Sequence, residues 1–223
     1  MKKIIIVVEG STEEQFVRRV ICNDFILRGV YVDAQQWVTN RKLGSTGGGK
    51  SFDLIENHIR RLINHYHHDS NVFISTMIDL YAFPRQGNTV YDSDVDNCRS
   101  GKEKAILLQQ KMEDRLACRK FIPYVQLYEF EALLLSKPDE FLNFYTTNQQ
   151  EIQTLKAEIN GMMPEEINDT PDGAPSKRII RHIPAHKKQK TTAGVITAEC
   201  IGLPHLRATC PHFNKWITAL EAL

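Results

Sequence analysis

The chain has 223 residues, 42% hydrophobic and 25% charged, with a formal net charge of +1. That length suits one domain of generous size or one domain with an appendage. Near-neutrality removes any global electrostatic case for a nucleic-acid or membrane partner, and no apolar run approaches the length of a membrane span. The apolar stretch after Met1-Lys2-Lys3 is too short for the core of a secretory signal, so a cytoplasmic location is expected. The cysteines (Cys22, Cys98, Cys118, Cys200 and Cys210) are scattered without CxxC spacing, which argues against a zinc site or a disulfide framework and for free thiols.

Ile4-Ile5-Ile6-Val7-Val8 predicts a strand buried on both faces. It stops at Glu9-Gly10-Ser11-Thr12-Glu13-Glu14, where Ser11 or Thr12 is expected to cap a helix running through Phe16, Val17 and Val20. Glu9 therefore stands at the C-terminal lip of a buried strand, where α/β sheets bind ligands. Glu13 follows in the first helical turn, and a tight turn brings its carboxylate back beside Glu9. Two crowded carboxylates repel unless a cation lies between them, and clustered hard oxygens select Mg²⁺ or Mn²⁺. The helix macrodipole alone accounts for Glu13 and Glu14. It does not account for Glu9.

Val30 to Ala34 predicts a short second strand. Gly44 to Ser51 meets the spacing of a phosphate-binding P-loop, but the preceding Trp37 to Leu43 is polar and basic rather than a buried strand. The segment reads instead as a flexible glycine-rich loop able to approach a phosphate backbone. Phe52 to His65 has helical periodicity, and His65, His67 and His68 fall at its end, where cations suit the dipole.

Val72 to Ile78 is the second clear buried strand, and it stops at Asp79. Two parallel strands that end in acids place those acids on one edge of a sheet. Asp92 to Asp96 reads as a solvated turn, and Gly101 to Arg115 as a helix. Phe121 to Leu127 is a third strand candidate, leading to Glu129 and Glu131 at a helix start. From Lys137 to Pro171 the texture is helical. A turn at Pro171-Asp172-Gly173-Ala174-Pro175 then opens a basic block: Lys177, Arg178, Arg181, His182, His186, Lys187, Lys188 and Lys190. That block is either a solvated helix face or a phosphate-contacting surface. Cys200 to Leu220 is expected to pack a helical pair on the core, with Trp216 inside it.

Val8 to Glu13 and Ile78-Asp79 resemble the corresponding motifs of the Toprim fold, in particular the nucleases of the overcoming-lysogenisation-defect type. Toprim proteins follow their later strand with Asp-x-Asp; here Asp79 matches the first position and Tyr81 stands at the second. A wider ordered set is similar to a bacterial Toprim-like family often encoded beside ATPases in defence-type neighbourhoods. It includes Asp79-Leu80-Tyr81, Leu127 to Leu134, Pro175 to Arg178, Ile201-Gly202-Leu203 and Cys210 to Trp216.

The resemblance implies an α/β Toprim-like fold with a mainly parallel central sheet flanked by helices, a helical insertion and a helical C-terminus. Residues 1–136 would form the core, and 137–223 a helical extension packed on it. It implies a Mg²⁺- or Mn²⁺-dependent nuclease working with an ATPase in anti-phage defence, with Glu9, Glu13, Asp79 and one of Glu129 or Glu131 as metal ligands. Lys190 or Lys177 would stabilise charge on the phosphate, and Lys177, Arg178, Lys187 and Lys188 would hold the nucleic acid. The alternative is a non-catalytic module that binds or regulates an ATPase.

Overall fold

The β-branched run after Lys3 is the centre of a parallel sheet. The computed structural model describes residues 1–37, 51–168 and 172–223, so the P-loop-like Gly44 to Ser51 lies, apart from Ser51, outside the described residues. Strands β1 (Lys2–Val8), β2 (Val30–Gln36), β3 (Val72–Asp79) and β4 (Phe121–Ile122) lie in the order β2-β1-β3-β4, and β5 (Val125–Gln126) also pairs with β3. Every strand pairing among the described residues is parallel.

The strand expected over Phe121 to Leu127 is broken into β4 and β5. Pro123 lies between them and has no N–H to give the ladder. The Thr76 side chain bridges the gap: its hydroxyl donates to the Tyr124 carbonyl at 3.0 Å and accepts the Tyr124 N–H at 2.9 Å.

Past β1 the chain runs through α1 (Ser11–Phe16), a π-helical turn (Val17–Ile21) and α2 (Cys22–Ile26). The cap is Gly10, not Ser11 or Thr12: the Gly10 N–H donates to the Glu13 carboxylate at 3.0 Å. The remaining helices are α3 (Phe52–His65), α4 (Ser93–Asp96), α5 (Gly101–Leu116), α6 (Glu131–Leu134), α7 (Gln149–Glu158), α8 (Pro175–His182), α9 (His186–Ile201), α10 (Leu203–Thr209) and α11 (Pro211–Glu221). The acidic turn at 92–96 is α4, with Asp92 as its N-cap. Between Lys137 and Pro171 only α7 is α-helical among the described residues; prolines open 3₁₀ turns at Pro138–Asn143 and Pro164–Glu166.

Two hydrophobic clusters cover the two faces of the sheet, as the alternation of side chains along β1 requires. Ile4, Ile6 and Val8 pack with Phe16, Val20 and Phe25 and with Phe213, Trp216 and Ile217 of α11. Val7 packs with Phe52, Ile55 and Ile59 of α3 and Leu108 and Met112 of α5. The helices after β1 and after β2 thus lie on opposite faces, because the β1→β2 and β2→β3 connections run in opposite directions along the sheet and right-handed crossovers of opposite direction lie on opposite faces.

The C-terminal helices are tied to the central sheet by more than apolar contact. Trp216 Nε1–H donates to the Ser75 hydroxyl at 2.9 Å, and that hydroxyl donates to the Ile122 carbonyl at 2.5 Å. The Trp216 ring stacks on Tyr124 with centroids 4.3 Å apart and planes 6° from parallel. Trp216→Ala therefore loses a buried ring and removes the N–H donated to the Ser75 hydroxyl. It is expected to destabilise the protein by about 3–5 kcal/mol, read as a lower urea midpoint.

Candidate active site

Register decides which side chains meet. Val8 of β1 lies opposite Met77 of β3, and both strands run the same way. One residue beyond each pair, Glu9 and Ile78 are level, so Glu9 and Asp79 end on the same edge of the sheet. That edge is also a topological switch point, since β2 lies on one side of β1 and β3 on the other. In open α/β sheets the crevice at such a point is where ligands bind.

Four carboxylates reach this edge close enough for their charges to act on one another. Glu13 comes from the first turn of α1 and Asp79 from the end of β3. Glu131 comes from the start of α6, and Glu129 lies just before it. Burial is the main force pushing the Asp79 carboxyl well above its ordinary range, and the charges of Glu13, Glu131 and Glu129 push the same way. Burial likewise raises Glu13, with Glu131 adding to it.

The Lys190 ammonium, one of the cations of the basic block, enters this group from α9 and pairs with Glu131 at 2.9 Å. Burial alone would lower the Lys190 pKa, but Glu131, Glu129 and Asp79 outweigh it and raise it. One turn back along α9, His186 is buried against the Tyr145 hydroxyl at 3.1 Å, and burial pushes it down to about 4.

Each carboxylate is held in place by a different group. Glu13 accepts the Gly10 N–H at 3.0 Å, and Glu129 accepts the Ser176 N–H from the first turn of α8 at 3.0 Å. The Phe130 N–H works against the rise at Asp79, whose Oδ1 is buried with no hydrogen-bond partner among the described residues. Helix α9 is anchored beside them: the Thr191 hydroxyl lies 2.9 Å from the Thr12 hydroxyl and 3.5 Å from that of Ser11.

The donor set is all oxygen, as Mg²⁺ or Mn²⁺ requires. Among the described residues no three His, Cys, Asp or Glu side chains stand in a metal-holding arrangement. The reason is visible in the bonds just given, since Glu13, Glu129 and Glu131 are each turned towards an N–H or an ammonium. The residues fit a hard cation in kind, and Asp79 Oδ1 is the buried oxygen with nothing yet to bind. Glu9 stands half-buried at the end of β1.

The basic block separates into parts. Arg178 is only 4% exposed; it donates to the Gly173 carbonyl and pairs with Glu158 at 2.5 Å. Arg181 and His182 bind the same Glu158 carboxylate at 3.1 and 2.5 Å. Two arginines and a histidine of α8 thus converge on the end of α7, in a structural cluster that places the α8 N-terminus on Glu129. Lys177 is exposed and pairs with Asp172 at 3.0 Å, while Lys187 and Lys188 are exposed in the first turn of α9. Sequence reasoning missed the Ser176 amide at this site; the signal was Pro175, a residue favoured at the first position of a helix.

The family model described as a domain of unknown function, DUF4276, matches residues 8–221. No curated protein matches the chain. Among solved structures, the C-terminal region of the OLD protein of Xanthomonas campestris pv. campestris is similar at 16% identity, over 100% of this chain and 99% of that one, with a TM-score of 0.33. That likeness is too slight to bear on the fold or the site.

Asp79 and Glu13 keep their protons to higher pH in the fold than in the unfolded chain. Their contribution to stability is therefore complete below the unfolded carboxylate range and is lost as pH rises through the folded values. In EDTA, Asp79→Asn is expected to melt above wild type at about pH 8, with the gap closing towards about pH 5. Scanning calorimetry across that range checks the sign, and a gap independent of pH contradicts it.

Proposed function

The chain belongs to the DUF4276 family, and we propose that it is a metal-dependent phosphodiester hydrolase acting on nucleic acid. The observation that carries this reading is the gathering of Glu13, Asp79, Glu129 and Glu131 around Lys190 at the switch point of the sheet. The Toprim-like motifs of the sequence agree with it. Burial, with neighbouring carboxylates adding to it, raises the pKa values of Asp79 and Glu13, and shifts of that kind gather at functional sites.

Glu9, Glu13, Asp79 and one of Glu129 or Glu131 would hold Mg²⁺ or Mn²⁺. When bound, such an ion supplies a hydroxide at neutral pH and neutralises charge on the leaving oxygen. Asp79 contributes an oxygen that needs to give up no existing bond. Glu13 would bind the ion with a carboxylate that here accepts the Gly10 N–H, and Glu131, if it is the fourth ligand, with one that here pairs with Lys190. The Lys190 ammonium would stabilise negative charge on a phosphate held at this edge. Lys187 and Lys188, three and two residues before it, are exposed for backbone phosphates further along the strand.

In purified protein with Mn²⁺ and mixed DNA and RNA, Glu9→Gln and Asp79→Asn should each cut cleavage at least roughly a hundredfold. Asp92→Asn, at an exposed acid paired with Lys111, should not. Wild-type rates in both site variants would overturn the catalytic reading. The competing reading is a non-catalytic module that binds or regulates an ATPase. What favours it is that Tyr81, where Toprim proteins have a second acid, is an exposed ring. It predicts metal or partner binding without cleavage by wild type.

The surface lysines make a separate expectation. If Lys187 and Lys188 touch phosphates, changing both to Ala flattens the log–log salt dependence of binding by about 0.7–0.9 per contact, equally for all sequences. A filter-binding salt titration with an unchanged slope would remove them from the substrate path.

A further inference from the structure

Beside the acidic edge stands an aromatic pair that the metal reading does not use. Tyr81 follows Asp79 by two residues, in a 3₁₀ turn spanning Leu80–Ala82. Leu80 is buried, whereas Tyr81 is 40% exposed. The Tyr81 ring lies 5.6 Å from the Tyr128 ring, tilted by 55°, and Tyr128 immediately precedes Glu129.

This exposed ring is held with unusual care. The Tyr81 N–H donates to the Tyr128 carbonyl at 3.1 Å. Tyr128 has φ = +59°, in the left-handed region that a tyrosine adopts only at a cost of about 1–3 kcal/mol. Its ring lies over Gly101, where an added Cβ would come within 2.5–2.7 Å of two ring carbons and 2.8 Å of the hydroxyl oxygen. Two backbone concessions, a strained tyrosine and an obligatory glycine, thus keep Tyr128 under Tyr81. A core aromatic would be buried by such an arrangement, and a solvated one would not need it. The pair stands beside the acidic edge, because the turn that carries Tyr81 starts directly after Asp79 and Tyr128 adjoins Glu129. Arg85, whose charge also reaches Tyr81, is exposed nearby with its guanidinium 5.0 Å over the Tyr91 ring.

We propose that Tyr81, braced by Tyr128, is a stacking platform for an unpaired nucleobase beside the phosphate handled at the acidic edge. The ligand of the site is then single-stranded or frayed nucleic acid, not intact duplex. A ring two residues from Asp79 and another one residue from Glu129 are placed to receive the base that adjoins a phosphate bound by those acids. Stacking needs only a π face, so it tolerates any base, but a base inside a duplex has its faces already occupied. Arg85 supplies a cation for the next phosphate. The inference rests on the nucleic-acid reading above and specifies its substrate.

The test measures binding, not cleavage. Fluorescence anisotropy would follow a labelled single strand of about 12 nucleotides, and the same sequence as a blunt duplex, in EDTA and again with Ca²⁺. Wild type should prefer the single strand in both solutions. Tyr81→Ala should weaken single-strand binding roughly tenfold and leave duplex binding unchanged, whereas Tyr81→Phe, which keeps the ring, should bind as wild type. Three results would each overturn the proposal: no single-strand binding by wild type, equal single-strand affinity in wild type and Tyr81→Ala, or Tyr81→Phe as weak as Tyr81→Ala. Circular dichroism and melting of both variants guard against misfolding, and the Phe variant decides the matter if the Ala variant unfolds. Cleavage that depends on Glu9 together with binding indifferent to Tyr81 would remove the platform and leave the metal reading standing.

Discussion

The parallel pairing of β1 with β3 is the constraint from which the rest of the molecule follows. It sets Val8 opposite Met77, and each strand then terminates at or beside an acid on the same edge. Both strands are buried on both faces, so a slip of one residue would exchange Ile4, Ile6 and Val8 with Ile5 and Val7 and mismatch the packing of both clusters. That packing cost opposes the repulsion between the acids.

The fold meets that repulsion with local counter-groups. An N–H at the start of α1 holds Glu13, an N–H at the start of α8 holds Glu129, and an ammonium from α9 holds Glu131. Partial positive charge at helix N-termini makes two of these placements favourable in themselves. The same bonds explain why no three of the described carboxylates are yet arranged around one point. Each is restrained by a partner of modest strength, which a divalent ion can displace. Stability is given up at this edge and recovered elsewhere, notably where Trp216, Tyr124 and Ser75 bind the C-terminal helices to β3.

Helix α8 shows how a basic segment can serve a site without touching a ligand. Glu158 gathers Arg178, Arg181 and His182 into one cluster, so both arginines already have a carboxylate partner within the protein. What α8 delivers to the acidic edge is a backbone amide. The cation that does reach the edge is Lys190, which belongs to the next helix.

Much of this was written in local sequence. The β-branched runs of β1 and β3, the acids that end them, the period of α3 and the buried position of Trp216 all follow from patterns a few residues long, because strand and helix periodicity is a local property. The expected strand over Phe121 to Leu127 failed at Pro123, and the expected cap at Ser11 or Thr12 gave way to Gly10 because the Glu13 side chain could reach back to its N–H. Only the tertiary structure decided that Arg178 is buried while Lys187 is exposed, since the two differ in what lies across from their helices and not in anything near them in the chain. The same holds for Lys190 among the carboxylates and for Tyr81 over Tyr128. Those contacts join segments more than forty residues apart, and pairings at that range are set by how the layers pack, which no local pattern of residues encodes.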